Sequence, residues 1–121
     1  MKHLYLTPAA LAIAVLLGAC ASAPTSTTLL ESARNDYAQA QRNPDVSNYA
    51  ALEMKLASDA MQQANIAAVQ SASPEKVDQL AYVAQQKIAL TQEVVKQKTA
   101  EADGARTARE RDQMLLVQRT N

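Results

Sequence analysis

From Pro74 to the end of this 121-residue chain there is no second proline and a single glycine, Gly104. A proline would remove a backbone donor and clash with the turn before it, whereas one glycine costs about 1 kcal/mol in a helix and need not end it. The stretch therefore predicts one helix of about 45 residues, roughly 65–70 Å long at 1.5 Å per residue. Val77, Leu80, Ala81, Ala84, Ile88, Thr91 and Val95 recur along it at steps of three and four, which marks a face to be buried. Ser73 is placed to cap its start, and Pro74 suits the first helical position.

Two shorter helices are expected before it. Thr28 and Glu31 spell a T-x-x-E capping box, so helix one runs from about Leu29 to Arg42, with Leu30, Ala33, Tyr37 and Ala40 on a narrow apolar face. Asn43-Pro44-Asp45 ends it, because the residue before a proline is steered out of the helical region. Helix two is expected from Val46 or Ser47 to Gln70, capped by Asp45 or Ser47. Its stripe reads Tyr49, Leu52, Leu56, Ala60, Ala64 and Ala67, flanked by Met61 and Ile66. No β-type alternation competes with these patterns. The fold class is all-α: a short helical bundle or hairpin with a long C-terminal helix.

Helix two would span roughly 35 Å, so the partners run out about halfway along helix three. The rest must project, bend back near Gly104, or pair with another chain. From Ala21 onward the chain holds 20 Ala, against 23 Leu, Ile, Val, Met and Tyr together, so its facing surfaces are thin and depend on close Ala contacts. Tyr49 and Tyr82 are expected to fill the wide part of that core. A thin core makes self-association physically reasonable.

The first 20 residues read differently. A basic start at Lys2 leads into an apolar stretch from Leu4 to Leu17, 14 residues against the roughly 20 that a spanning helix wants. That is an export signal, followed by Leu17-Gly18-Ala19-Cys20, which resembles the lipobox of bacterial lipoproteins. The resemblance implies cleavage before Cys20, acylation of Cys20 by palmitate-type chains, and a membrane-lipid partner through that residue. With Ala21 and Ser22 rather than an Asp after the Cys, it also implies delivery to the outer membrane, facing the periplasm. Acyl chains contribute about 0.8 kcal/mol per buried methylene, so two or three of them anchor durably. The organisation expected is a signal peptide over 1–19, a lipidated tether over 20–28, and an Ala-rich helical domain over 29–121.

Few chemistries are open to such a chain. Its only Cys and only His, Cys20 and His3, fall in the first 20 residues, which leaves the remainder without a His or Cys metal site, a Cys nucleophile or a His-based triad. No catalytic, metal or cofactor residue is expected, and the chain does not read as an enzyme. With 12 Lys plus Arg against 12 Asp plus Glu, no nucleic-acid partner is expected. The acidic pairs Glu75/Asp78, Glu101/Asp103 and Glu110/Asp112 read as solvated helix surface. Glu93/Lys96, Asp103/Arg106 and Arg109/Asp112 are spaced for weak helical ion pairs, about 0.2–0.5 kcal/mol each. Arg106, Arg109, Arg111 and Arg119 give the tail a local positive excess around the apolar group Met114-Leu115-Leu116-Val117. The candidate interaction residues are Gln97, Arg106, Arg109, Gln113, Leu115 and Leu116.

The segments ALEMKLASDAMQQA, QLAYVAQQKIAL and ARERDQMLLVQRT, behind a lipobox, resemble the small bacterial envelope lipoproteins grouped as the DUF4398 domain family, over about residues 29–119. The resemblance implies a helical envelope domain and supplies no catalytic residues. The expected role is a lipid-anchored periplasmic structural or adaptor protein that mediates envelope protein interactions, with an envelope protein or a second copy as partner. The alternative is an envelope ligand-binding or carrier protein, whose mark would be an enclosed interhelical groove with convergent polar groups.

Overall fold

A computed structural model describes residues 22–121. The signal peptide expected over 1–19 and the lipidation expected at Cys20 lie outside the described residues. The described chain is all-α: α1 (Thr28–Arg42), α2 (Pro44–Tyr49), α3 (Ala51–Val69) and α4 (Pro74–Thr120), with no strand among the described residues.

α1 starts one residue earlier than the capping box suggests. Thr27, in extended conformation, accepts the Leu30 N–H at 3.1 Å. With Thr27 as the cap, Leu30 and not Glu31 holds the third helical position, so no capping box closes, and the Glu31 carboxylate pairs with Arg34. Asn43 is both the end of α1 and the cap of α2, its Oδ1 accepting the Asp45 N–H at 3.0 Å, and Pro44 takes the first helical position. The helix expected from residue 46 to 70 is therefore two helices, started two residues earlier and broken at Ala50. A one-residue link after α1 is too short to reverse the chain, so the reversal is shared between two corners, Asn43 and Ala50. At the second corner Ala50 adopts φ −138, ψ 36, yet its N–H still reaches the Val46 carbonyl and its carbonyl accepts the Met54 N–H, both at 2.9 Å.

α3 buries a different face from the one its large residues suggest. The buried positions are Ala57, Met61, Ala64, Ala67 and Ala68. Tyr49, Leu52, Leu56 and Ile66 are exposed. Relative to the expected stripe, the buried face is turned by roughly a quarter of the helix circumference. Small side chains let helix axes close to about 8 Å, and leucines on that face would hold them apart. On α4 the expected face is the observed one: Val77, Ala81, Ala84, Ile88, Thr91 and Val95 are buried and Leu80 is half-buried. The buried Thr91 hydroxyl is satisfied by donating to the Lys87 carbonyl at 2.9 Å. Tyr82 is exposed rather than in the core, and Tyr37 alone of the three tyrosines among the described residues packs against the core clusters.

The core runs along α4 in three steps. Leu30 and Ala33 of α1 meet Met61, Ala64 and Ala68 of α3 over Val77, Ala81 and Ala84. Ala40, Ala57 and Ile88 form the next step, and Val46, Ala50 and Val95 the last. α1 is thus parallel and α3 antiparallel to α4.

The α3–α4 turn closes with a left-handed residue, Ser71, at φ 56. The Ala72 N–H bonds the Ala67 carbonyl and the Ser71 N–H bonds the Ala68 carbonyl, the Schellman pattern with serine where glycine is usual. The hydroxyl accounts for the choice: Ser71 Oγ donates to the Ala23 carbonyl at 2.8 Å, while the Thr25 N–H bonds the Ala68 carbonyl at 2.9 Å. The segment expected as a tether is irregular over 22–27, and hydrogen bonds rather than apolar contacts fasten it to this turn.

The close Ala contact makes a direct prediction. Ala84→Leu forces new volume into the α3–α4 seam and is expected to lower stability by about 1–3 kcal/mol, read from a urea unfolding midpoint. Gln86→Leu, on the exposed side of the same helix, is the control and is expected to move the midpoint little.

Candidate functional site

α4 outruns its partners. Val95 is the last buried residue, and from Lys96 to Thr120 the helix continues through Gly104 with nothing but Thr99 and Ala108 even half-covered. It does not bend back at Gly104, so within one chain the segment projects. The helix of 47 residues is about 70 Å long, and some 25 residues of it, roughly 37 Å, form an overhang.

All the interaction candidates stand on this overhang, but not on one face. Arg106, Arg109, Gln113 and Leu116 fall at helical spacing on a single side, continuing the line of Ile88, Thr91 and Val95 beyond the end of the bundle. Gln97 and Leu115 are 18 residues apart, five full turns, and so share a second side. Gln97 Nε2 donates to Glu101 Oε1 at 3.0 Å. Arg106 reaches Asp103 at 3.2 Å and Glu110 at 4.0 Å, and Lys98 reaches Glu101 at 3.5 Å. The expected Glu93–Lys96 pair forms at 4.0 Å. The expected Arg109–Asp112 pair does not form among the described residues. Arg109, Arg111 and Arg119 make no ion pair among the described residues, so Glu101, Asp103 and Glu110 are paired while Arg106 is the one paired arginine of the overhang.

The second side of the overhang leads back to a surface of which the sequence reading assigned Leu52 and Leu56, but not Val83 or Leu90, to the core. Val83 and Leu90 lie on that side of α4 within the bundle, and both are exposed. Leu52 and Leu56 of α3 are exposed as well, Leu52 to 67%. The signal that distinguishes them was present in the sequence: Ala57, Met61, Ala64 and Ala68 form a competing stripe of smaller residues. Ranking stripes by hydrophobicity hides it.

A trough of about 510 Å³ runs between α1 and α3, floored by Tyr37, Met61, Ile66 and Val69 and edged by Ser58, Gln62, Asn65 and Gln70. It is open to solvent, and its polar edge is neutral. Asn65 Oδ1 is already engaged by the Arg34 Nε–H at 2.8 Å. The enclosed, convergent groove that would mark a carrier is therefore not what this trough offers. Of the acidic pair on the first turn of α4, Glu75 is solvated as expected, whereas Asp78 is half-buried. Its Oδ1 is shut from solvent without a hydrogen-bond partner among the described residues. Among the described residues no three His, Cys, Asp or Glu side chains converge to hold a metal ion, and no helix is long and apolar enough to cross a membrane.

A family model described as a domain of unknown function, DUF4398, matches residues 28–111, which takes in all of the bundle and the first part of the overhang. No curated protein and no solved structure matches the chain.

The continuity of the overhang can be tested at its one glycine. A Cβ added at Gly104 would meet nothing within 4 Å. Gly104→Ala is expected to favour the helix by about 1 kcal/mol, slowing amide hydrogen exchange around residue 104 by about fivefold. The urea midpoint of the bundle should stay unchanged, since the core ends at Val95.

Proposed function

We propose that this chain, which belongs to the DUF4398 family, is a lipid-anchored adaptor of the cell envelope that presents its projecting helix to a protein partner. The part resting on the fold is the coarser one: a compact all-helical domain with interhelical packing suited to protein–protein interaction. The finer part starts from Leu17-Gly18-Ala19-Cys20, whose Cys is the proposed point of acylation. With Ala21 and Ser22 following it, the proposed destination is the outer membrane, facing the periplasm. The role is one of binding and spacing, with no catalytic step.

The observation that carries this reading is where the chain enters the bundle. Ser71 Oγ donates to the carbonyls of Ser22 and Ala23, at 3.3 and 2.8 Å, which ties the entry point to the turn that opens α4. An anchor at residue 20, two residues upstream, can stand no more than about 7 Å of chain from that point. The far end of α4 is about 70 Å away along the helix. Anchor and exposed helix are then at opposite ends of one long helix, an arrangement that keeps the binding surface away from the point of attachment. α1, α2 and α3 brace only the first half of that helix.

Two measurements bear on this. A clickable fatty acid should label the full chain, and Cys20→Ser should abolish the label; persistent labelling of that variant would remove the anchor. Photo-cross-linkers placed at Gln97 and Gln113 in cells should return the same protein partner, or a second copy, in repeated experiments. Failure to capture either from both sites would sink the adaptor reading.

A further inference from the structure

We propose that the overhang's first partner is a second copy of this chain: residues 96–120 of each molecule lie along the open side of the α3–α4 layer of the other, as a two-fold antiparallel dimer. The inference rests on the reading that the overhang is the contact surface, and names what it contacts.

The open side follows from where α1 sits. α1 covers one flank of the layer, with Gln85 Nε2 donating to Ser32 Oγ at 3.0 Å and to Asp36 Oδ2 at 3.3 Å. Helical spacing puts Leu52 and Leu56 of α3, and Val83 and Leu90 of α4, on the opposite flank. The register set by Ala57 with Ile88, and by Ala50 with Val95, brings Leu52 and Leu56 level with the Leu90–Val94 turn. Four large apolar side chains are therefore gathered on one uncovered face, all of them exposed. Exposed large apolar side chains on one flank are the kind of surface that a contact covers.

Three observations select a second copy as the occupant. The first is continuity: Ala108 and Leu115 lie 18 residues beyond Leu90 and Gln97, on the same side of one unbroken helix. An antiparallel neighbour therefore meets the open face with its own overhang on the same flank that carries its own open face, and the contact closes as an isologous pair. The second is length. The overhang is roughly 37 Å long and α3, at 19 residues, roughly 28 Å, so one overhang covers the whole layer. The third is charge. Residues 22–95 carry 5 Lys plus Arg against 8 Asp plus Glu, while residues 96–121 carry 6 against 4. Arg109, Arg111 and Arg119 make no ion pair among the described residues; nor does Glu53, beside Leu52 on the bundle. Opposite charge on the two halves favours bundle against overhang over bundle against bundle.

The test uses the full chain in its native membranes, with a benzophenone side chain replacing Leu115. Ultraviolet light is expected to give a covalent dimer whose joined peptides link position 115 of one copy to the segments holding residues 52–56 or 83–90 of the other. Leu90→Asp, at a side chain 48% exposed, is expected to cut the dimer yield at least tenfold with helicity by circular dichroism unchanged. Because that position borders the core, the paired variant Arg111→Glu, Arg119→Glu, at the two overhang arginines nearest the Leu115 side and outside the bundle entirely, is a second reading and is expected to lower the yield at least fivefold. Adding 0.5 M salt should lower it as well. A chain that gives no dimer, a product joining position 115 only to position 115, or a yield indifferent to both variants overturns the proposal. If position 115 captures another envelope protein while the chain stays monomeric, the second-copy partner is overturned and the adaptor reading stands.

Discussion

The structure depends on how closely α3 can approach α4. Ala57, Ala64 and Ala68 on one helix face Ala81 and Ala84 on the other, with Val77, Ile88 and Met61 filling the spaces between them. Contact between small side chains brings the two backbones together and multiplies dispersion contacts that are individually tiny. Only the antiparallel return of α3 along α4 places these alanines opposite one another. α1 then rests in the shallow groove the pair creates, held through Leu30, Ala33 and Ala40.

Close approach has a geometrical consequence. A helix cannot present alanines to its neighbour and bury its leucines there too, so Leu52 and Leu56 are turned outward with Val83 and Leu90. In a larger domain another layer would cover them; here the chain devotes its next 25 residues to extending α4 instead. The bundle and the overhang are thus two results of one allocation. Short helices brace the first half of a long one, and the apolar surface they leave open faces the same way as the unbraced half. Every interaction reading of this chain derives from that geometry rather than from a pocket or a reactive group.

The ends of the elements show how local chemistry sets this up. Asn43 serves two helices at once, and Pro44 begins the second immediately, which moves the remaining change of direction to Ala50. At the other end Ser71 accepts a left-handed conformation that an L residue adopts at a cost of about 1–2 kcal/mol. Its hydroxyl offsets part of that cost by fastening the N-terminal segment to the turn. Glycine would relax the backbone and lose that fastening. The entry point of the chain and the root of α4 are consequently one place.

Much of this was legible from residue order alone. The long α4, its buried face from Val77 to Val95, the cap at Ser73 and the face of α1 all follow from periodicity and punctuation, because each is a property of one helix and its own backbone. The all-α class follows as well, and so does the excess of α4 over its partners, although residue order leaves open whether that excess projects, bends back near Gly104 or pairs with another chain. The buried face of α3 followed in part: Ala64, Ala67 and the flanking Met61 are inside as expected, and the larger Tyr49, Leu52 and Leu56 are not. Hydrophobicity favours Leu52 and Leu56, while packing favours Ala57, Ala64 and Ala68, and the choice depends on a surface of α4 some thirty residues away in the chain. The candidate residues on the overhang divide in the same way. Their exposure was foreseeable, but the separation of Gln97 and Leu115 from Arg106, Arg109, Gln113 and Leu116 acquires meaning once the bundle shows which side of α4 is open. The sequence by itself determined that the chain is helical, where α1 and α4 start to within a residue, and that α4 carries one apolar line. Only the tertiary structure decided which face of α3 is inside and which leucines are left to meet a partner, because burial is a property of pairs of surfaces and close approach outweighed side-chain size.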